Sequence, residues 1–437
     1  MAPLTPVINK DGANATQVPP PGTEEWREQP PEPRLLGVWR VLVLIAALGI
    51  AILGLAGGLI GLALAFMAQG SERLTGTTVS VSILALTLGL GLPLAWHAWQ
   101  AMQGRPSAPF RPRSPWPLVA AFLLAVAGGQ AVLELGLLPS LIFPPFHLVA
   151  ALAPPLVIVA LVARALGGAG RWRDAALQLS SGAFVATPLA FLVEGALILG
   201  VVALLLAGLA LQPGGPEMLQ ALTDALAENT WLQDPDNLMP IMLSPGVVMA
   251  ALLITALFVP LVEEMAKAVG VGLVAYRRPD ARQAMLWGLA GGAGFAMVEG
   301  LLNTTGSLPS WAPVIVLRVG ATLLHCTAGA LMGLAWHQLL IIRRWGPALG
   351  LYAASVAMHA AWNTVSVGVA FLSLGTTSPE GSGITGQLAA VGSTGLVIFL
   401  FALAAGMAVL LAVLTRRLAR RGQPAGDRPP GPRPEAW

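Results

Sequence analysis

The sequence predicts an all-α polytopic membrane protein, and three observations support that fold class. Hydrophobic residues make up 56% of the 437 residues and charged residues only 10%, against roughly 25% charged residues in an ordinary soluble domain. Apolar stretches recur along most of the chain, and each is long enough to cross a hydrocarbon core of about 30 Å. Basic residues gather at the ends of these stretches, as is typical of membrane proteins.

The apolar stretches predict about ten transmembrane helices, which we number spans 1 to 10 in chain order. Their approximate ranges are 38–68, 78–101, 116–136, 146–166, 182–211, 246–275, 283–303, 314–342, 347–373 and 386–415. Each range is long enough for a helix that crosses the bilayer.

Arginines occur in alternate connections between these spans. The connections after spans 2, 4, 6 and 8 are basic, as is the end of span 10. In the other connections, the only arginine is Arg73. Because basic loops stay in the cytoplasm, this alternation predicts a multi-pass protein of the cell membrane with both termini in the cytoplasm. It also accounts for the net charge of +3 without a nucleic-acid partner.

Composition divides the chain into six predicted segments, which differ in polarity and in proline content. They are a disordered Pro-rich cytoplasmic tail (1–34), five N-terminal transmembrane helices (35–211), an extracytoplasmic amphipathic loop (212–245), a four-helix membrane core (246–373), a final transmembrane helix with a basic end (374–421) and a disordered tail (422–437). In the loop, acidic and apolar residues at helical spacing predict a helix on the outer surface, either a connector or a lid.

Four consecutive spans, 6 to 9, carry ionisable or strongly polar side chains inside apolar sequence. A charged side chain at the centre of a membrane helix costs at least about 2.5–3.5 kcal/mol, so these groups need a structural or functional reason. The candidate site residues are Glu263, Glu264 and Lys267 in span 6, Glu299 in span 7, His325 in span 8, and His359 and Asn363 in span 9.

Five of these residues are expected to lie at similar depth. With a rise of about 1.5 Å per residue from the nearest basic connection, Glu263, Glu299, His325, His359 and Asn363 lie roughly 18–27 Å into the membrane. Independent helices have no reason to agree in this way, so the agreement predicts one polar chamber. Span 7 contains the stretch GLAGGAGF, whose GxxxG spacing predicts close packing against a neighbouring helix.

The residue types in this layer suit hydrolysis. Two neighbouring carboxylates cannot both be charged cheaply at low dielectric, so Lys267 is expected to neutralise one of them. A buried carboxylate beside histidines can take a proton from water, and an Asn amide and a His N–H can stabilise an oxyanion. No metal ligand or cofactor site is predicted, although three glutamates and two histidines include enough ligands for zinc, and a zinc-dependent version stays open.

Two other interpretations remain at this point. Buried acids and histidines also form proton relays, so the alternative function is a proton- or ion-coupled membrane transporter. The sequence has no visible internal repeat of the kind on which many transporters are built. A membrane scaffold, in which polar groups only join helices, is the third interpretation.

The ordered motifs resemble those of a known family. EEMAK, FAMVE, His325 and HAAWN follow one another on consecutive spans, and this series is similar to that of the PrsW-type glutamic intramembrane proteases, relatives of the type II CAAX prenyl endopeptidases. The resemblance covers about 246–373. It implies an endopeptidase that hydrolyses a peptide bond of a membrane-anchored protein substrate, such as an anti-sigma factor, within the lipid bilayer.

The resemblance also implies roles for individual residues. Glu263 is the expected general base, and Glu264 supports it and pairs with Lys267. His359 and Asn363 are expected to hold the oxyanion. His325 is implied as a second group that orients water or the oxyanion, whereas Glu299 stands where the CAAX relatives carry histidine and receives no firm role.

Several other polar residues are expected to be structural. Arg318 lies near the outer end of span 8 and is predicted to reach toward the membrane surface. Glu194 in span 5 is predicted to make a hydrogen bond between helices. His97, His147 and His337 lie near span ends and are expected at the membrane interface.

Overall fold

The computed structural model describes residues 35–227, 244–377 and 384–421, and the predicted tails lie outside these ranges. The described residues form helices and connections without a β-strand. Within these ranges, ten helices are long and apolar enough to cross a membrane, which confirms the prediction of an all-α polytopic membrane protein. Part of the predicted outer loop is also described, and it contains a helix at Gly215–Ala227, whereas residues 228–243 lie outside the described ranges.

Seven of the ten spans are uninterrupted or nearly so. They are Leu35–Met67, Gly70–Met102, Trp116–Leu135 and Pro139–Ala165 for spans 1 to 4, Ala281–Thr305 for span 7, Trp345–Thr377 for span 9 and Ile384–Arg421 for span 10. The other three contain a π-helical segment. Span 5 runs through Trp172–Ser181, Gly182–Ala186 and Thr187–Ala210, span 6 through Pro245–Leu253, Ile254–Phe258, Val259–Lys267 and Val269–Leu273, and span 8 through Trp311–Trp336 and His337–Ile341.

Span 5 begins earlier than hydropathy indicates, at Trp172 rather than near residue 182. Its first turns are amphipathic, because they contain Asp174 and Gln178 among apolar residues. Both polar side chains are buried, and each has a partner: Asp174 pairs with Arg277, and Gln178 donates to the carbonyl of Gly270. A hydropathy average scores such a segment as polar although tertiary contacts bury it.

Span 7 lies at the centre of the bundle and packs closely against span 8. A Cβ atom added to Gly288 would lie 2.1 Å from the carbonyl oxygen of Gly329, and one added to Gly292 would lie 2.1 Å from that of His325. Only glycine permits this approach, so the GxxxG prediction is confirmed. The contact fixes the position of the helix turn that contains His325.

The π-helical segment of span 6 ends at Phe258, five residues before Glu263. Pro260 has no N–H group, so it cannot donate to the carbonyl of Thr255 five residues earlier, which a π-helix would otherwise use. The side-chain amide of Asn363 donates to this carbonyl instead, at 2.8 Å. This hydrogen bond joins span 9 to span 6 about two turns before Glu263.

Candidate active site

Five helices enclose a polar cavity of about 230 Å³. Five of the seven candidate residues line it: Glu263, Glu299, His325, His359 and Asn363. The two remaining candidates, Glu264 and Lys267, do not line the cavity but lie fully buried next to Glu263. The residues that sequence spacing placed in one layer therefore surround one space.

Lys267 bonds both glutamates of its own helix. Its Nζ lies 2.9 Å from Oε2 of Glu263 and 2.6 Å from Oε1 of Glu264. The spacings of four and three residues place all three side chains on one face of the helix. The ammonium also lies 4.7 Å from the centre of the Phe295 ring, a cation–π contact. One cation thus serves two carboxylates in a site closed to solvent.

His359 connects the two glutamates from span 9. Its Nδ1 lies 2.7 Å from Oε1 of Glu264, and because a carboxylate accepts, Nδ1 is the donor. Its Nε2 lies 3.8 Å from Oε2 of Glu263, on the cavity side. The ring is perpendicular to that of His325, with 5.4 Å between the ring centres. The histidine of HAAWN is therefore oriented by one glutamate and directed at the other.

Glu299 lies at the centre of a second group of ionisable residues. Its Oε2 lies 2.5 Å from Nε2 of His325 and 2.9 Å from a guanidinium nitrogen of Arg318, and its Oε1 accepts a hydrogen bond from Asn303. The prediction that Arg318 reaches toward the membrane surface is wrong, because its partner lies inside the bundle. With Nε2 on Glu299, the other ring nitrogen of His325 is buried without a hydrogen-bond partner among the described residues.

Asn363 lines the cavity but has already committed one donor. An Asn amide carries two N–H groups, and one of them donates to the carbonyl of Thr255. The remaining capacity of Asn363 is available at the cavity wall.

Three further residues line the cavity: Glu194 and Arg318, for which the sequence predicted structural roles, and Asn303, which the sequence analysis did not single out. Glu194 comes from span 5, outside the predicted four-helix core, and its Oε1 is buried without a hydrogen-bond partner among the described residues. One signal was present, because Glu194 is the only ionisable residue in the apolar part of span 5. Span 5 therefore belongs to the site together with spans 6 to 9.

His147 also departs from expectation. It is fully buried rather than interfacial, and it accepts a hydrogen bond from the indole N–H of Trp311 at 3.0 Å. Its Nε2 donates to the carbonyl of Leu301 at 3.2 Å. His147 therefore joins spans 4, 7 and 8 and does not take part in the cavity.

Glu263, Glu264 and His325 each offer one ligand atom within 4.8 Å of the others, a geometry that suits a metal ion. Carboxylate oxygens and imidazole nitrogens are ordinary zinc ligands. Two polar atoms, Oε2 of Glu264 and Nδ1 of His325, are buried without hydrogen-bond partners in the part of the chain that the structure describes. The residues therefore fit a divalent cation, although Lys267 bonds the same two carboxylates.

Comparison with known proteins gives one match. Residues 170–379 match the family model described as PrsW family intramembrane metalloprotease, and this range contains every residue that lines the cavity. No curated protein and no solved structure matches the chain. Residues 170–379 are therefore similar to the PrsW family, and this match supports a membrane-embedded peptidase.

Proposed function

We propose that the protein hydrolyses a peptide bond of a membrane-anchored protein with water activated by Glu263. The observation that carries this proposal is the convergence of Glu263, Glu299, His325, His359 and Asn363, from four helices, on one cavity of about 230 Å³. A cavity of this size holds water and a segment of extended peptide backbone, and its wall supplies both a base and hydrogen-bond donors.

Glu263 is the proposed general base because it is the carboxylate of its helix that faces the cavity. It takes a proton from water as the oxygen attacks the scissile carbonyl carbon, and it returns that proton to the leaving amine. The products are a carboxylic acid and an amine, and Glu263 ends the reaction in the protonation state in which it began. Such general acid–base catalysis typically contributes about 10²–10⁴-fold in rate.

His359 and Asn363 are the proposed donors to the oxyanion. When His359 carries a proton on both nitrogens, Nδ1–H stays on Glu264 and Nε2–H is available to the developing negative charge. Asn363 adds its second amide N–H. A single donor of this kind is worth about 10²–10³-fold in kcat. Glu264 and Lys267 act on His359 and Glu263 through direct contacts and do not touch substrate.

Glu299 and Arg318 are proposed to orient His325. The short contact to Glu299 holds Nε2, and Nδ1 is then left as an acceptor within the buried site. An imidazole fixed in this way can orient the attacking water by accepting a hydrogen bond from it.

A metal-dependent version of the same hydrolysis is the second candidate, and a specific observation supports it. The family description names a metalloprotease, and Glu263, Glu264 and His325 would hold the ion. When bound, a divalent ion polarises water or a carbonyl as a Lewis acid. Since Lys267 bonds the same carboxylates, its ammonium and a metal ion compete for them.

The remaining assignments are also proposals. We place the protein in the cell membrane with both termini in the cytoplasm, on the alternation of its arginines. We assign the catalytic core to 246–373 together with Glu194 of span 5, because the cavity requires both.

Cleavage in cells tests the proposed function. Wild-type protein and a Glu263→Gln variant are expressed at equal level in a bacterial host, and new N-termini inside single-span membrane proteins are quantified by mass spectrometry. We expect products with the wild type only. Ion flux in sealed vesicles that depends on Glu263, without any cleaved product, would instead favour the transporter.

A further inference from the structure

A second, smaller cavity lies at the arginine-rich end of the bundle, where spans 1, 2, 5 and 6 meet. It has a volume of about 40 Å³, and Arg40, Arg173 and Arg277 contribute to its wall. None of the described residues that line it is acidic. Three arginines, from span 1, span 5 and the turn after span 6, therefore contribute to the wall of one small space.

The charges around Arg173 are strongly unbalanced. Among the described residues, the positive charges of Arg277 and Arg171, with Arg40, act on its guanidinium, and Asp174 is the one carboxylate that does so. Asp174 is already paired with Arg277 at 2.6 Å. Arg173 donates one hydrogen bond to the carbonyl of Arg105, but its Nε is buried without a hydrogen-bond partner among the described residues. An anion at this position would relieve the repulsion and satisfy the donor.

An apolar groove adjoins this cavity. His97 lies on the wall of both. The groove has a volume of about 390 Å³, and its wall includes Leu90, Pro93, Leu152 and Leu156. This volume falls in the range of about 300–1,000 Å³ that is typical of ligand sites. A ligand that fills both spaces must combine a negative charge with a long apolar part.

The level of the cavity in the membrane indicates which ligand that is. Trp39 lines the arginine cavity and Trp172 lines the groove, and both belong to the first turns of their spans. Tryptophan is enriched where the hydrocarbon core meets the headgroups. The guanidinium groups therefore lie at headgroup level, and the groove lies at the level of acyl chains.

We propose that spans 1, 2, 4, 5 and 6 bind one anionic phospholipid molecule at this place. Its phosphate contacts Arg40, Arg173 and Arg277, and one acyl chain occupies the apolar groove. Basic pockets between membrane helices bind such headgroups by the same combination of charge and depth. Because Arg277 follows the helix that carries Glu263, the lipid ties the end of the catalytic span to the N-terminal spans.

Thermal unfolding of the full-length protein in detergent micelles tests this site. Dioleoyl phosphatidylglycerol, dioleoyl phosphatidylcholine and inorganic phosphate are added in separate arms. We expect phosphatidylglycerol to raise the Tm by about 3 °C or more, because a ligand that binds only the folded state stabilises it. Phosphatidylcholine and free phosphate are expected to give less than half of this shift.

Two variants localise the effect, and each is compared with its own lipid-free Tm. Arg173→Gln removes the charge with the unpartnered Nε, and Gly89→Leu fills the groove at a position where a Cβ meets no atom within 4 Å. Both are expected to lose the shift. Arg282→Gln, in the first turn of span 7, is the matched control and is expected to keep it. Equal shifts from both lipids, from free phosphate, or in Arg173→Gln would overturn the proposal.

Discussion

Oε2 of Glu299, in span 7, lies 2.5 Å from Nε2 of His325, in span 8. This contact occupies Nε2 of the imidazole and leaves Nδ1 without a hydrogen-bond partner among the described residues. Glu299 also explains why Arg318 lies inside the bundle, because its carboxylate pairs with the Arg318 guanidinium at 2.9 Å. The glutamate of FAMVE, which resemblance alone left without a firm role, thus joins a cation to a histidine of the cavity.

Arg318→Gln should lower kcat by about 10–100-fold while KM changes little, since partners that orient a functional histidine typically have effects of this size. Arg318→Lys should recover part of the activity, because it keeps the charge beside Glu299. Steady-state cleavage of a single-span substrate measures both values. Arg282→Gln is the matched control, and a rise in KM alone would mean that Arg318 only binds substrate.

Lys267→Met should destabilise the protein strongly, because it leaves two buried carboxylates without their cation. Breaking a buried ion pair by removing one partner typically costs about 3–5 kcal/mol. Thermal unfolding in detergent measures the loss. The double variant Lys267→Met, Glu264→Gln should recover part of it, since one uncompensated charge is removed as well. If the double variant is less stable than the single one, Lys267 does not act by neutralising Glu264.

Gly292→Ala should both destabilise the protein and reduce cleavage. The added methyl group would lie 2.1 Å from the carbonyl oxygen of His325, so spans 7 and 8 must separate. Overpacking of this kind typically costs about 1–3 kcal/mol. Gly195→Ala in span 5 is the control, because a Cβ there meets no atom within 4 Å. Equal Tm values for the two variants would show that the close approach is not needed.

The sequence predicts which site residues share a face of one helix, but it does not predict which residues of different helices contact each other. The spacing of Glu263, Glu264 and Lys267 sets one face of one helix, and the structure shows the contacts that this spacing implies. The pairing of Glu299 with Arg318 depends on how span 8 is rotated against span 7. That rotation is a tertiary property, so position along span 8 indicated a surface role for Arg318 instead.

The same limit explains Glu194 and the start of span 5. A single acidic residue in an apolar helix does not indicate which face of that helix packs against its neighbours. The packing of span 5 against span 6 brings Glu194 to the cavity. The helix start at Trp172 escaped hydropathy because Asp174 and Gln178 are polar and yet buried. Hydropathy measures composition, whereas these residues are buried by specific partners.

Chelation separates the two versions of the proposed chemistry. We expect cleavage by the purified protein to persist within about twofold after treatment with a chelator, because Lys267 already supplies positive charge to both carboxylates. Metal content is measured in parallel by mass spectrometry. Loss of cleavage on chelation, with recovery on addition of zinc, would instead assign Glu263, Glu264 and His325 as ligands.

The most direct test of the account compares Glu263→Gln with Glu134→Gln. Both substitutions neutralise a carboxylate in a transmembrane helix, but Glu134 lies exposed in span 3 and bonds only Gln130 among the described residues. Cleavage of a single-span substrate by each purified variant is measured at equal folded concentration. The account predicts that Glu263→Gln loses at least about 10²-fold in rate while Glu134→Gln cleaves like the wild type. Full cleavage by Glu263→Gln would contradict the claim that this carboxylate activates the water.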